Sequence, residues 1–151
     1  MTAQQSNEVN SQPIGYWTGE AYRRIATAIR ASLAKEGLTQ PQWWMLNHVA
    51  KGDWKQDALL DKLGRFNANE QGLDLLNEHD DLIERGWLTR EPATEQLTLT
   101  AEGEAGRRRT WERNGDAHRS MIAGVSEAEY DACITVLQRI VGNLGGDPSP
   151  H

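Results

Sequence analysis

Leu82-Ile-Glu-Arg-Gly-Trp-Leu-Thr-Arg90 and, a short step further on, Leu97-Thr-Leu-Thr-Ala-Glu-Gly103 decide how this sequence folds. The first run begins as a helix and stops at Gly86, a residue that adopts the left-handed backbone of a helix end without steric penalty. From Trp87 the apolar period changes from 3.6 to 2. Trp87-Leu-Thr89 and Gln96-Leu-Thr-Leu99 alternate around Glu91-Pro-Ala-Thr94, which predicts a small two-stranded hairpin. Thr100, with Glu102 and Glu104 in the next turn, then starts a long polar helix by capping and charge–dipole complementarity.

Upstream, Ile14, Trp17, Ala21, Ile25, Ala28 and Leu33 recur at helical spacing and predict a first helix stopping at Gly37. Thr39 and Gln42 form a capping box, with Pro41 in the first turn, ahead of a helix bearing Trp43, Leu46, Val49 and Ala50. Asp53 with Gln56 repeats the start signal for a short third helix carrying Leu59, Leu60 and Leu63. A turn-like Arg65-Phe-Asn-Ala-Asn69, with its asparagines as candidate caps, leads to a fourth helix marked by Leu73, Leu76, Leu82 and Ile83. Downstream, Gly124 interrupts the chain and Ser126 with Glu129 opens a last helix. Its stripe of Tyr130, Cys133, Ile134, Leu137, Ile140, Val141 and Leu144 closes at Gly145-Gly146.

Composition bounds the function. The 151 residues carry a net charge of -6, which argues against coating nucleic acid non-specifically. No apolar run reaches the roughly 20 residues of a membrane-spanning helix, and Met1 to Gln12 lacks a secretory pattern. A soluble, cytoplasmic protein without a membrane partner is therefore expected. The single Cys133 excludes an intramolecular disulfide and any zinc site built from several thiolates; within an apolar stripe it is expected to be buried and inert. No glycine-rich phosphate loop, His-Glu-x-x-His or nucleophile elbow is present, so no enzyme activity, cofactor or metal is expected. His79-Asp80-Asp81 looks like a metal doublet, but the other histidines fall on separate elements, and His79 reads as a surface residue.

The element order is that of a mostly α-helical winged helix-turn-helix with a two-stranded wing, flanked by terminal helices. Leu38-Thr-Gln-Pro-Gln-Trp-Trp-Met-Leu46, Ala58-Leu-Leu-Asp-Lys-Leu63, Leu82 to Arg90 and Leu97 to Gly103 together resemble the MarR family of bacterial transcriptional regulators, the strand-to-helix junction being the most specific part. The resemblance implies a homodimer formed by the first, fifth and sixth helices, with each fourth helix and wing facing half of a palindromic operator in double-stranded DNA. The apolar stripes agree, since they exceed what one small domain can cover. They nominate Ile14, Trp17, Ile25, Ile134, Leu137, Ile140, Val141 and Leu144 as interface. The expected organisation is a disordered segment 1–12, one winged-helix domain 13–144 (winged-helix core 38–100, dimerisation helices 14–36 and 101–144) and a disordered tail 145–151.

The sequence departs from the family at the DNA-reading helix. Glu70, Asp74, Glu78, Asp80 and Asp81 fall there with no Lys or Arg, the Leu63 to Gly86 interval is long, and the wing offers only Arg90 at its base. Candidate DNA contacts are Lys55, Lys62, Arg65, Arg85 and Arg90 for phosphates and Asn67, Asn69, Gln71 and Asn77 for bases. The run Arg107-Arg-Arg109 reads as a solvated helix face, with Glu104 and Glu112 one turn from Arg108. The resemblance also implies a small aromatic effector in a cleft between the dimerisation helices and the winged-helix lobe, lined by the first two helices, where Trp17, Tyr22, Trp44 and His48 supply rings and a polar handle. Two readings stand: a dimeric DNA-binding regulator, gated by such a ligand, or a winged-helix scaffold that has lost DNA binding and uses its acidic fourth helix to bind a protein.

Overall fold

The computed structural model describes residues 13–66 and 74–149. Six helices run in chain order there: α1 (Ile14–Ala34), α2 (Gln40–Lys51), α3 (Gln56–Phe66), α4 (Leu75–Glu84), α5 (Ala101–Met121) and α6 (Glu127–Asn143), with strands β1 (Leu88–Arg90) and β2 (Leu97–Leu99) between α4 and α5. The punctuation read from sequence is in place. Gly37, Gly86, Gly124 and Gly145 all carry positive φ, and both Thr39/Gln42 and Ser126/Glu129 form complete capping boxes. Thr100 accepts the Gly103 N–H at 2.9 Å and so caps α5.

One helix start differs from expectation. α3 opens with the Leu59 N–H on the Lys55 carbonyl rather than at Asp53, because Lys55 is already held in extended backbone by its bridge to Gln96. α4 begins at Leu75 with Asp74 as its cap, accepting from the Leu76 and Asn77 N–H groups. Leu73, together with the other expectations placed on residues 1–12, 67–73 and 150–151, lies outside the described residues.

β1 and β2 pair antiparallel in the register Leu88↔Leu99, Thr89↔Thr98 and Arg90↔Leu97. The chain divides into two compact units, Met1–Ala117 and His118–His151. In the first, Leu33, Leu38, Met45, Leu46, Leu59, Leu63, Leu82, Trp87, Leu88 and Leu97 form one buried cluster, the fate of apolar residues at these spacings. α5 enters it through small residues: its buried positions are Gly103, Gly106 and Thr110. A Cβ on Gly106 would overlap the Trp87 indole, and one on Gly103 would lie 2.8 Å from the Trp87 carbonyl carbon and closer still to its oxygen. The glycine of the L-T-x-x-G junction is thus needed for close backbone approach. In the second unit, α6 has no buried residue, and His118 meets Tyr130 edge-on at 5.9 Å.

Candidate nucleic-acid interface

The foot of the wing gathers several candidate cations. Trp54-Lys-Gln56 runs beside β2, with the Leu97 N–H on the Trp54 carbonyl at 2.8 Å and the Gln56 N–H on the Glu95 carbonyl at 3.1 Å. This plants the start of α3 against the hairpin. Arg90 donates to the Gln56 side chain at 2.8 Å and lies 3.7 Å from Glu95. Lys55 and Arg90, distant in sequence, therefore share one exposed corner. Lys62 and Arg65 are one turn apart on α3; Lys62 Nζ stands 5.8 Å from the Trp54 ring centroid, and Arg65 reaches Asp61 only at 3.5 Å.

α4 has three sides, separable at 100° per residue. His79 and Leu82 are buried in the core, with Leu75 and Ile83 packed beside them. Glu78, Asp81 and Arg85 form a second side that grips the α1–α2 segment. Thr39 Oγ1 donates to the Glu78 carboxylate at 2.8 Å; Gln42 Nε2 donates to Asp81 Oδ2 at 2.8 Å and to the Glu78 carbonyl at 3.2 Å. Both carboxylates thus sit at the N-terminus of α2, where helix N–H groups favour negative charge. The third side, Leu76, Asn77, Asp80 and Glu84, is exposed.

Three of the acids read from the sequence have partners within the chain: Asp74 is a cap, and Glu78 and Asp81 bond to α2, while Asp80 and Glu84 lie on the outward side. Arg85 also finds other employment: its guanidinium donates to the Gly37 carbonyl at 2.8 Å and the Glu36 carbonyl at 3.0 Å and stacks 4.4 Å from the Trp87 ring centroid. It holds the end of α4 to the turn after α1. Asn77 is exposed on the outward side, while Asn67, Asn69 and Gln71 lie outside the described residues. His79, expected on the surface, is 1% exposed; its Nδ1 lies 3.0 Å from Asp80 Oδ1, and among the described residues Nε2 is buried with no hydrogen-bond partner.

The basic run of α5 mixes two kinds of pairing. Glu104 binds Arg107 through Nε at 2.8 Å and Arg108 at 3.1 Å, and the Arg107 bond, then that of Arg108, holds its carboxyl down at about 2. Arg109 and Arg113 reach across to the largely buried Glu36 at 3.2 and 3.3 Å. Sequence spacing finds the first set, because those partners are three and four residues apart. It cannot find the second, which depends on α5 lying along the end of α1.

Among the described residues the nominated effector residues Trp44 and His48 meet one turn apart on α2, while Trp17 and Tyr22 stand exposed on α1. Trp17 meets Tyr16 at 5.1 Å and is 50% exposed, as is Tyr22 at 57%. Trp44 packs against the core. His48 gives its Nδ1 proton to the Trp44 carbonyl at 2.8 Å and meets Trp54 edge-on. The open groove described here, of about 800 Å³, lies instead between the end of α2, β2 and the start of α5, with Val49, Asp53, Gln96, Leu97, Glu104 and Arg107 among its walls. A second aromatic feature missed by sequence reading is Trp43 against Trp111 of α5, centroids 6.4 Å apart, with Asn47 accepting from Arg107 at 3.3 Å one turn along.

The nominated interface residues are open in the single chain: Ile14, Trp17, Ile25, Ile134, Val141 and Leu144 are exposed, Leu144 at 83%, and Leu137 and Ile140 are half-buried. Cys133 is exposed too. Among the described residues of the second unit no element covers its stripe, so the expected burial is not seen.

A helix-turn-helix followed by a two-stranded wing, framed by longer helices at either end, defines a winged helix-turn-helix protein. Solved structures place the fold more narrowly. The chain is similar to the PcaV transcriptional regulator from Streptomyces coelicolor, with a TM-score of 0.68 and 20% identity over 88% of this chain and 98% of that one. It is similar to the reduced form of MarR from E. coli, with a TM-score of 0.64 and 18% identity over 86% and 94% of the two chains. BpsR of Bordetella bronchiseptica, whose DNA binding is regulated by 6-hydroxynicotinic acid, gives a TM-score of 0.61 and 19% identity over 86% and 94%. The architecture is the MarR winged-helix fold. No family model and no curated protein sequence matches the chain.

Proposed function

We propose that this protein is a dimeric, MarR-like transcriptional regulator of the cytoplasm that binds double-stranded DNA and responds to a small aromatic effector. The observation that carries the reading is the extent of the structural likeness. It takes in the terminal helices as well as the winged-helix core, covering 88% of this chain and 98% of the PcaV regulator. Fold alone does not fix function, and two surface features support this one. Lys55 and Arg90 converge at the foot of the wing, with Lys62 and Arg65 on α3, which suits phosphate contacts. The apolar sides of α1 and α6, open in one chain, suit a second copy. The effector's contacts in this reading are Trp17, Tyr22, Trp44 and His48 on the first two helices.

Fluorescence anisotropy with labelled duplex from the region upstream of the coding sequence, and with a scrambled duplex, tests it. Expected is sequence-dependent binding that weakens as salt rises, by a protein of about twice the 16.9 kDa chain mass in light scattering. A folded protein that binds neither this duplex nor any selected from a random library would refute the DNA reading. The acidic-helix scaffold is not favoured, because the structural likeness is to transcriptional regulators and Glu78 and Asp81 are bonded to α2.

A further inference from the structure

α4 is held on its core side by the burial of Leu82 and His79, which opposes any large rotation because it would bring Leu82 to the surface, but sets the angle less finely than hydrogen bonds do. The fine setting of α4 about its own axis comes from directional bonds. These lie on one side: Glu78 and Asp81 to Thr39 and Gln42, and Arg85 to the Glu36 and Gly37 carbonyls. Gln42 is the centre of the set. It is 2% exposed, its Oε1 accepts the Thr39 N–H at 3.1 Å, and both its Nε2 bonds end on α4 at successive turns. The side chain is therefore fixed from α2 and grips α4 at two levels.

We propose that Gln42 is a positioning residue for sequence reading: its amide sets the rotation of α4 and so the direction in which Asn77 and Asp80 face a duplex. The inference rests on the DNA-binding reading above. Side-chain tips stand roughly 5–6 Å from a helix axis, so a 20° turn, on the order of what loss of these bonds permits, carries them by about 2 Å. A hydrogen bond to a base edge does not survive that displacement. Phosphate contacts from Lys55, Lys62 and Arg90 lie on other elements and are untouched. Loss of the Gln42 bonds thus separates discrimination from affinity for DNA in general.

The test uses the full chain. A duplex is selected from a random library with the wild type, and binding of it and of a scrambled duplex is then measured for Gln42→Met, for Asp81→Ala and for Asp81→Asn, whose amide oxygen still accepts from Gln42. Gln42→Met and Asp81→Ala are expected to lose discrimination about 5- to 150-fold, the worth of one good base contact. The affinity of Gln42→Met for the scrambled duplex and its salt dependence stay at wild-type levels, and Asp81→Asn keeps its discrimination. Asp81 is half exposed, so its variant folds even where Gln42→Met does not. Wild-type discrimination in Asp81→Ala, or equal losses on both duplexes, would overturn the inference while leaving DNA binding standing. Failure of the wild type to select any duplex overturns the DNA reading and this inference with it.

Discussion

Gly103→Ala puts the packing of α5 to a numerical test. In an open helix the exchange is favourable by about 1 kcal/mol, because glycine is the poorer helix former. Here the new Cβ would stand 2.8 Å from the Trp87 carbonyl carbon and closer to its oxygen, and the same oxygen accepts the Thr100 N–H at 3.1 Å. Neither neighbour is a flexible side-chain end, so α5 or the strand entry must move. Overpacking of this kind costs roughly 1–3 kcal/mol, and weakening the Thr100 bond adds about 0.5–1.5 kcal/mol. After the helix gain is subtracted, the variant should be destabilised by about 0.5–3.5 kcal/mol, a fall in Tm of roughly 1–14 °C for a chain of this size. Gly64→Ala in α3 is the control: nothing lies within 4 Å of its added Cβ, and it should gain up to about 1 kcal/mol. Urea unfolding and thermal melts followed by circular dichroism measure both. A Gly103→Ala protein as stable as the wild type would refute the claim that this glycine serves close approach.

Arg85→Ala should cost about 2 kcal/mol through its lost charge-assisted bonds to the Glu36 and Gly37 carbonyls, and Arg85→Lys should not restore it, since an ammonium cannot reproduce the fork; chemical denaturation decides. Glu104 titrates well below its ordinary 4.5, at about 2, chiefly through Arg107. Its contribution is therefore complete above about pH 4.5 and drains away as pH falls toward 2. Denaturation at stepped pH should show wild type and Glu104→Gln converging over that interval, and a constant gap would count against the pairing. Lys55→Ala and Arg90→Ala should each lower the slope of log affinity against log salt by about 0.9, read by anisotropy at several salt concentrations; an unchanged slope removes that residue from the phosphate contacts.

What the sequence determined by itself is local. Helix ends at Gly37, Gly86, Gly124 and Gly145, the Thr39 and Ser126 capping boxes and the β1–β2 hairpin are set by interactions within a few residues, and the pattern displays them directly. The order of those elements was enough to reach the MarR-like winged helix. The tertiary structure decided which side of each helix has work to do. Spacing cannot show that Glu78 and Asp81 serve the N-terminus of α2 or that Arg85 serves carbonyls after α1, because each partner is more than 30 residues away in sequence; nor does it show that His79 is buried. A count of carboxylates carries charge but no direction, and the direction comes from packing.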